Sequence, residues 1–184
     1  MRIQTLRALI CVHERGSLRA AAQELHMSQP ALTLAIQQLE TELGCQLLLR
    51  TKRGVSLTAF GLALLPRANL IVSESSRVQE EMAQMRGDWG GRVRLASSPA
   101  VALSVLPHAL RPFMSKYPKV QVHCIEGTYP AIAPALRDGT LDFAVTPFRE
   151  EDLEPGLSAD PLYRAEVVIV GNKQHPLARA SPLQ

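Results

Sequence analysis

The N-terminal part of the chain alternates apolar and polar positions at spacings typical of α-helices. Apolar residues over positions 3–12 predict a first helix, which Gly16 would end. Ser17 and Ser28 precede two further helical patterns, and each can accept hydrogen bonds from the N–H groups of a first helical turn. Pro30 follows where a helix does not need the missing N–H. The pattern therefore predicts three helices, the last two meeting at a tight turn.

The third predicted helix has an apolar face and a mixed, mostly polar face. Its apolar stripe, expected to face a core, consists of Leu32, Ile36, Leu39 and Leu43. The opposite face suits the major groove of DNA, where Gln and Thr can meet base edges and aliphatic groups can touch thymine methyls. An ordinary amphipathic surface helix explains the same pattern, since this face carries no basic residue. The residues expected to meet base edges are Gln29, Pro30, Thr33, Leu34 and Gln37.

A short basic segment follows the third helix. Over residues 47–58 apolar and polar positions alternate around a glycine, as in a β-hairpin or wing. Arg50, Lys52 and Arg53 lie at or near its tip, where cations can contact phosphates or a narrow minor groove. A solvated charged turn is the alternative. The charge distribution favours DNA, because residues 1–58 hold seven Lys and Arg against four Asp and Glu, whereas the rest holds thirteen of each.

A long helical pattern starts at Thr58, a candidate N-cap, and runs to about Met85, after which Arg86-Gly87 would end it. Its apolar and small residues recur at spacings of four and three, and such a heptad seam needs a partner. We therefore predict a homodimer or tetramer, with a helix packed on its own chain as the alternative. The predicted dimerisation residues are Leu64, Ala68, Ile71, Val78, Met82 and Met85.

Beyond a glycine-containing hinge at residues 88–91, strands and helices alternate. Strands are predicted at 93–97, 120–125, 141–146 and 162–170, and helices at 100–117 and 130–138. This order predicts a parallel, doubly wound sheet with ligand sites at the carboxyl ends of its strands. Hydroxyls and N–H groups there suit a small carboxylate or another anion, although caps and turns would use the same residues. The residues expected to line such a ligand cleft are Ser97, Ser98, Pro99, Gly127, Thr128 and Thr146.

Composition argues against several other classes of protein. Cys11, Cys45 and Cys124 are scattered, which predicts buried, reduced thiols rather than disulfides or a zinc site, with a redox-sensing role for Cys124 as the alternative. The five histidines lack metal-ligand spacing, and no nucleophile elbow or phosphate loop occurs. We therefore expect no catalytic residue, metal or cofactor. No secretory signal or bilayer-spanning apolar run is visible, so we expect a cytoplasmic protein without a membrane partner.

The N-terminal residues resemble the winged helix-turn-helix of LysR-type transcriptional regulators. Matching positions are Ile3, Leu6, Leu9, Gly16, Ser17, Ala21, Ala22, Leu25, Ser28 to Thr33, Leu39-Glu40, Leu43-Gly44, Arg50, Arg53, Val55, Leu57-Thr58 and Gly61. A looser match to the family's effector-binding domain includes Tyr117-Pro118, Val120, Val122, Glu126-Gly127, Leu136, Gly139, Leu141-Asp142, Leu162-Tyr163 and His175 to Ala178. The family often has a basic residue where Leu34 stands, so that charge contact should be absent here.

This resemblance implies a mainly α, DNA-binding winged helix-turn-helix at residues 1–58 and a linker and dimerisation helix at 59–87. An incomplete α/β domain, similar to solute-binding proteins, would follow at 91–184. The implied function is sequence-specific binding of operator or promoter DNA, controlled in full-length relatives by a small effector.

The length of the α/β part suggests a truncated effector domain. Residues 91–184 reach only to about where the family crosses into a second lobe, which would leave a sheet edge and apolar surface uncovered. We therefore expect this chain alone to bind no effector with useful affinity. Two alternatives are a short, effector-insensitive form that pairs with and interferes with full-length relatives, and a small-molecule-binding α/β protein.

Overall fold

The computed structural model describes residues 1–51, 54–164 and 172, without the side chains of Arg50 and Thr51. The N-terminal half consists of three helices, a two-stranded hairpin and a long helix. In order these are α1 (Ile3–Arg15), α2 (Leu18–Glu24), α3 (Gln29–Leu43), β1 (Leu48–Thr51), β2 (Gly54–Leu57) and α4 (Ala59–Met85).

The helix boundaries follow the capping residues predicted from the sequence. Ser17 Oγ accepts from the N–H of Ala20 at 3.4 Å, and Ser28 Oγ accepts from that of Ala31 at 3.3 Å. Gly16 ends α1 in a left-handed conformation with φ of 61°, which glycine adopts without a steric penalty. The predicted helix starts and the first helix end are therefore confirmed.

One continuous core joins α1, α2, α3, the hairpin and the first half of α4. Its buried members include Leu6, Leu9, Val12, Ala21, Leu32, Ile36, Leu39, Leu47, Leu57 and Ala68. Leu43, predicted on the same stripe of α3, is instead 43% exposed. It occupies the last position of α3, beyond the helices that cover Leu32, Ile36 and Leu39.

Some apolar residues of the long helix α4 pack against the N-terminal core, and others are exposed to solvent. Ala68 is 0% exposed within its own chain, and Leu64 packs against the same N-terminal core. The prediction that Ala68 lies on an intersubunit seam is therefore wrong, because α1 and its neighbours already cover it. The seam residues that stay exposed on α4 are Ile71, Val78, Met82 and Met85.

The second half of the chain forms a three-stranded sheet with helices beside it. Its elements are β3 (Gly91–Ser97), α5 (Pro99–Leu103), α6 (Val105–Lys116), β4 (Val120–Glu126), α7 (Ala133–Arg137), β5 (Phe143–Val145) and a 3₁₀ turn at Glu150–Asp152. Among the described residues the strand order is β4-β3-β5, and both pairings are parallel. The predicted parallel arrangement is confirmed, while the predicted strand at 162–170 lies mostly outside the described residues.

Two predicted helices in this half are shorter than expected. The helix expected at 100–117 is broken at Ser104 into α5 and α6. Pro107 offers a reason, since it has no N–H to donate to the carbonyl of Leu103 four residues earlier. The helix expected at 130–138 spans only Ala133–Arg137.

Apolar side chains remain exposed on this half of the molecule. Leu103, Met114, Ile125 and Phe143 are all exposed, and α6 has no buried residue. No helix within the described part of the chain is both long and apolar enough to cross a membrane.

Candidate nucleic-acid interface and effector cleft

The outer face of α3 is open to solvent at the positions predicted to read bases. Gln29, Pro30, Leu34 and Gln37 are exposed, and Thr33 is half-buried. Leu34 has 56% of its surface exposed although Leu32, two positions earlier, is fully buried. The core therefore holds the back of α3 firmly and leaves these side chains free to contact another molecule.

A groove separates this face of α3 from the hairpin. It has a volume of about 370 Å³, and Thr33 and Gln37 line one side of it. Leu48 and Leu49 of β1 line the other side. Two of the predicted base-reading residues thus lie on the side of α3 that faces the hairpin.

The hairpin is fixed to the helices by hydrogen bonds that its backbone N–H groups donate. Glu40, in the last turn of α3, accepts hydrogen bonds from the N–H groups of Leu47 at 2.7 Å and Leu48 at 3.2 Å. On the other strand, the N–H of Val55 donates to the carbonyl of Gly16 at 3.0 Å. The hairpin therefore has a defined position beside both α3 and the start of α2.

The basic tip of this hairpin was the second predicted DNA contact. Arg50 lies in β1, paired with Val55 of β2 in an antiparallel register. Lys52 and Arg53 fall outside the described residues, so their predicted contacts with phosphates or the minor groove stay predictions.

Glu40 is a positioning residue that the sequence reasoning missed. A carboxylate in the last turn of a helix opposes the helix dipole, so its presence there called for a compensating partner. The sequence shows this unfavourable position of Glu40. It does not show the partners, because the two backbone N–H groups lie seven and eight residues further along the chain.

A buried thiol lies behind α2. Burial raises the pKa of Cys11 to about 11, with a further contribution from the Glu24 carboxylate, which accepts from the thiol at 3.4 Å. Glu24 also pairs with Arg15. At neutral pH the thiol of Cys11 is therefore protonated and unreactive.

The other two cysteines correct the prediction of three buried thiols. Cys45 is half-buried and Cys124 is exposed, although all three are free. Among the described residues, no three His, Cys, Asp or Glu side chains are grouped so as to hold a metal ion.

The predicted effector-cleft residues come together at the carboxyl ends of the three parallel strands. The N–H of Gly127, after β4, donates to the carbonyl of Ser97 at the end of β3. The N–H of Ser98 donates to the carbonyl of Val145, next to Thr146 at the end of β5. Pro99 and Thr128 are exposed beside them.

Among the residues that the structure describes, the hydroxyl of Ser98 has no hydrogen-bond partner. Its residue is 4% exposed, and Oγ is buried among the described residues. A buried polar atom without a partner costs about 1 to 3 kcal/mol, so the strand ends contain an unused donor and acceptor. Thr146 Oγ1, in contrast, already accepts from the N–H of Tyr129 at 3.4 Å.

These features define a class of protein. The helices, hairpin and long helix form a winged helix-turn-helix with its linker, and a parallel α/β domain follows, with polar residues gathered at the ends of its strands. Two family models match these two parts: the bacterial regulatory helix-turn-helix protein of the lysR family over residues 3–62, and the LysR substrate binding domain over residues 86–184.

Individual relatives agree with the family models. The SDS degradation transcriptional activation protein of Pseudomonas sp. (strain ATCC 19151) is 33% identical over 95% of this chain and 57% of its own length. The transcriptional regulator TdcA of Escherichia coli K12 is 30% identical over 92% of this chain and 54% of its own. A solved structure of an OxyR cysteine-to-serine mutant from Corynebacterium glutamicum, bound to H₂O₂, superposes with a TM-score of 0.53. It is 30% identical, over 76% of this chain and 44% of its own.

The chain belongs to the LysR family of bacterial transcriptional regulators, as its sequence resemblance predicted. It spans a little over half the length of the curated relatives it matches.

Proposed function

We propose that this protein binds double-stranded DNA in a sequence-specific manner and so regulates transcription. The observation that carries the proposal is the solvent-exposed face of α3 with a basic hairpin fixed beside it. In this proposal Gln29, Pro30, Thr33, Leu34 and Gln37 meet base edges, and Arg50, Lys52 and Arg53 contact phosphates or the minor groove.

The division of labour between these two groups is testable. A binding site is first selected from a random duplex pool, and affinity is then measured by fluorescence anisotropy on that duplex and on random DNA. Gln29→Ala should relax the preference at one base position, with a cost of about 1 to 3 kcal/mol on the selected site alone. Gln121→Ala, which removes an exposed glutamine from β4, is the matched control.

The hairpin cations should contribute to the binding of DNA of any sequence. Arg53→Ala should weaken binding to selected and random DNA alike and lower the slope of log affinity against log salt by roughly one unit. Arg111→Ala removes the same charge from an exposed position of α6 and should leave the slope unchanged. Equal losses on both duplexes for Gln29→Ala would contradict base reading, and an unchanged slope for Arg53→Ala would contradict the phosphate contact.

We also propose that the protein acts as a homodimer joined along α4. Ile71, Val78, Met82 and Met85 support this, because they are exposed apolar residues spaced along one helix. Val78→Asp should shift the mass in sedimentation equilibrium towards a monomer, whereas Gln79→Asp at the next exposed position should not. A monomeric unsubstituted protein at micromolar concentration would exclude this interface.

In domain terms, we propose that residues 1–58 read DNA, 59–87 link and dimerise, and 91–184 sense a small molecule. The convergence of hydroxyl and backbone N–H groups at the strand ends supports a small anionic effector, bound by Ser97, Ser98, Pro99, Gly127, Thr128 and Thr146. Because we expect this chain alone to bind an effector only weakly, millimolar small carboxylates should cause small amide shifts in NMR spectra, and these should affect the strand ends first. Ser98→Ala should weaken the binding, and shifts spread evenly over the molecule would argue against the cleft.

A further inference from the structure

The turn between α7 and β5 makes polar contacts with one stripe of α4. Asn69, Ser73 and Arg77 follow one another at intervals of four residues, so their side chains project from the same side of α4. Asn69 Nδ2 donates to Asp138 Oδ2 at 2.9 Å, and Ser73 Oγ donates to the carbonyl of Gly139 at 3.0 Å. We name residues 138–142 the clamp turn.

The contact between Ser73 and Gly139 is closely packed. Ser73 is buried although it lies on the surface of a long linker helix. A Cβ atom at Gly139 would lie 3.0 Å from Ser73 Oγ, and the φ of Gly139 is +72°. Glycine thus allows the clamp turn both its conformation and its approach to α4.

Asp142 connects the clamp turn to the sheet. Its carboxylate accepts from the N–H of Arg94 at 2.7 Å and from the guanidinium of the same residue at 3.0 Å. That guanidinium also donates to Ser73 Oγ at 3.3 Å, and Arg77 lies 3.5 Å from the carboxylate. One carboxylate therefore joins β3, the clamp turn and α4.

Within this connection, the Asp142 carboxylate is held in its ionised form. Burial works to raise the pKa of Asp142, but the hydrogen bonds and charge of Arg94, helped by Arg77, together hold the pKa below its ordinary value. The carboxylate is therefore ionised at neutral pH. A charge-assisted hydrogen bond is about twice as strong as a neutral one, and the bond between Arg94 and Asp142 joins two charged groups.

A second attachment joins α4 to the same sheet. The chain itself leads from α4 into β3 through residues 86–91, where Asp88 pairs with Lys119 at 3.1 Å and Trp89 contacts the ring of Tyr117. A single covalent hinge with glycines would allow α4 to swing. Two attachments, the hinge and the clamp turn, fix its angle.

The clamp turn also lies at the start of β5, one of the strands that end in the cleft. Arg94 lies in β3 three residues before Ser97, and Asp142 directly precedes β5, after which Thr146 follows. Asp142 and Thr146 thus flank β5, while Arg94, which contacts Asp142, lies in the middle of β3, three residues before the cleft residue Ser97.

We propose that the clamp turn is a conformational device that locks α4 onto the sheet, so that the sheet sets the direction in which the DNA-reading half points. The second part of this statement rests on the proposed function. The lock itself does not, and it can be tested without DNA or effector.

The test measures one distance by double electron–electron resonance. Spin labels are attached through Arg67→Cys, on the exposed side of α4, and Arg111→Cys on α6, with Cys45→Ser and Cys124→Ser to remove the accessible native thiols. Labelled protein is diluted into unlabelled protein, so that pairs within one chain dominate. The intact clamp should give a single narrow distance distribution.

Loss of the clamp should broaden that distribution. Asn69→Ala removes a side-chain hydrogen bond to the clamp turn without touching the sheet. Ser73→Ala removes the hydrogen bond to Gly139 together with the one that Ser73 accepts from Arg94 of β3. Ser75→Ala makes the same change two positions away and should keep the narrow peak. Asp142→Asn should broaden the peak as well.

An unchanged distribution in both Asn69→Ala and Ser73→Ala would overturn the proposal. Circular dichroism and the thermal midpoint of each variant show whether it is folded. Should Ser73→Ala fail to fold, Asn69→Ala decides alone, because Asn69 is only half-buried. Since no DNA is present, a negative result would leave the proposed DNA binding standing.

Discussion

Glu40 and Leu47 join α3 to the hairpin: the carboxylate of Glu40 accepts from the N–H of Leu47 at 2.7 Å and from that of Leu48 at 3.2 Å. Leu47 is itself buried, so its N–H has little access to water. Glu40→Ala should therefore destabilise the protein by about 1.5 to 3 kcal/mol, the range for hydrogen bonds to charged groups.

Chemical denaturation measures this loss, and hydrogen exchange at Leu47 and Leu48 shows whether the hairpin has loosened. Glu42→Ala removes the same charge from the same helix, where it pairs with the exposed N-terminus. That surface pair should contribute less than about 1 kcal/mol. Equal effects of the two substitutions would show that Glu40 acts only through its charge.

Substitutions of Leu32 and Leu34, two residues of α3, should affect protein stability and DNA recognition separately. Leu32→Ala removes a fully buried side chain and should cost about 2 to 5 kcal/mol, because a cavity remains. Leu34→Ala removes an exposed side chain and should leave the unfolding free energy within about 0.5 kcal/mol of its starting value. Site selection should nevertheless change for Leu34→Ala. A large stability loss there would mean that the exposed face of α3 is structural.

Gly61 lies where α4 crosses the hairpin. A Cβ atom there would collide with the backbone carbonyl of Leu47 and come within 3.0 Å of Leu57 Cδ2. Gly61→Ala should therefore destabilise the fold by about 1 to 3 kcal/mol, despite the better helix propensity of alanine. Gly90→Ala, whose nearest neighbours lie 3.8 Å or more away, is the control. Thermal unfolding of both variants tests the difference.

The three thiols should react at different rates. Cys124 is exposed and should be labelled rapidly by a maleimide at pH 7, whereas Cys11 is buried with its pKa raised to about 11 and should react only when the protein unfolds. Mass spectrometry of peptides after timed labelling distinguishes them. Fast labelling of Cys11 in the folded protein would contradict its burial beneath α2.

Asp142 predicts a dependence of stability on pH. Because the fold lowers its pKa, the ionised form is the one that stabilises. Its contribution should be present above the ordinary aspartate pKa of about 3.9 and should disappear as pH falls through the lower folded value. The difference in unfolding free energy between the unsubstituted protein and Asp142→Asn should accordingly shrink below about pH 4. Denaturation at pH 7 and at lower pH checks this, and a constant difference would rule out the carboxylate as its source.

Local signals in the sequence were sufficient for much of the fold. Ser17, Ser28 and Thr58 were predicted as caps, and each accepts a backbone hydrogen bond in the first turn of its helix. These contacts join residues three apart, so the pattern alone determines them. The parallel sheet also followed from the alternation of strands and helices, and it brought the cleft residues to one edge.

Contacts between distant residues could not be read in this way. A heptad spacing shows that Ala68 needs a partner, but not whether that partner is the N-terminal core or another subunit. The clamp turn joins Asn69 to Asp138, which are 69 positions apart, and nothing in either segment points to the other. Tertiary packing rather than local preference decides such pairings.

The burial of Ala68 against α1 also affects how this protein can be divided for experiments. An N-terminal fragment that stops at Thr58 would lack the first half of α4 and would expose the apolar side chains of α1 that pack against it. Such a fragment should aggregate, whereas one extended past Val72 should remain monodisperse. The smallest N-terminal unit that folds on its own should therefore include the first half of α4.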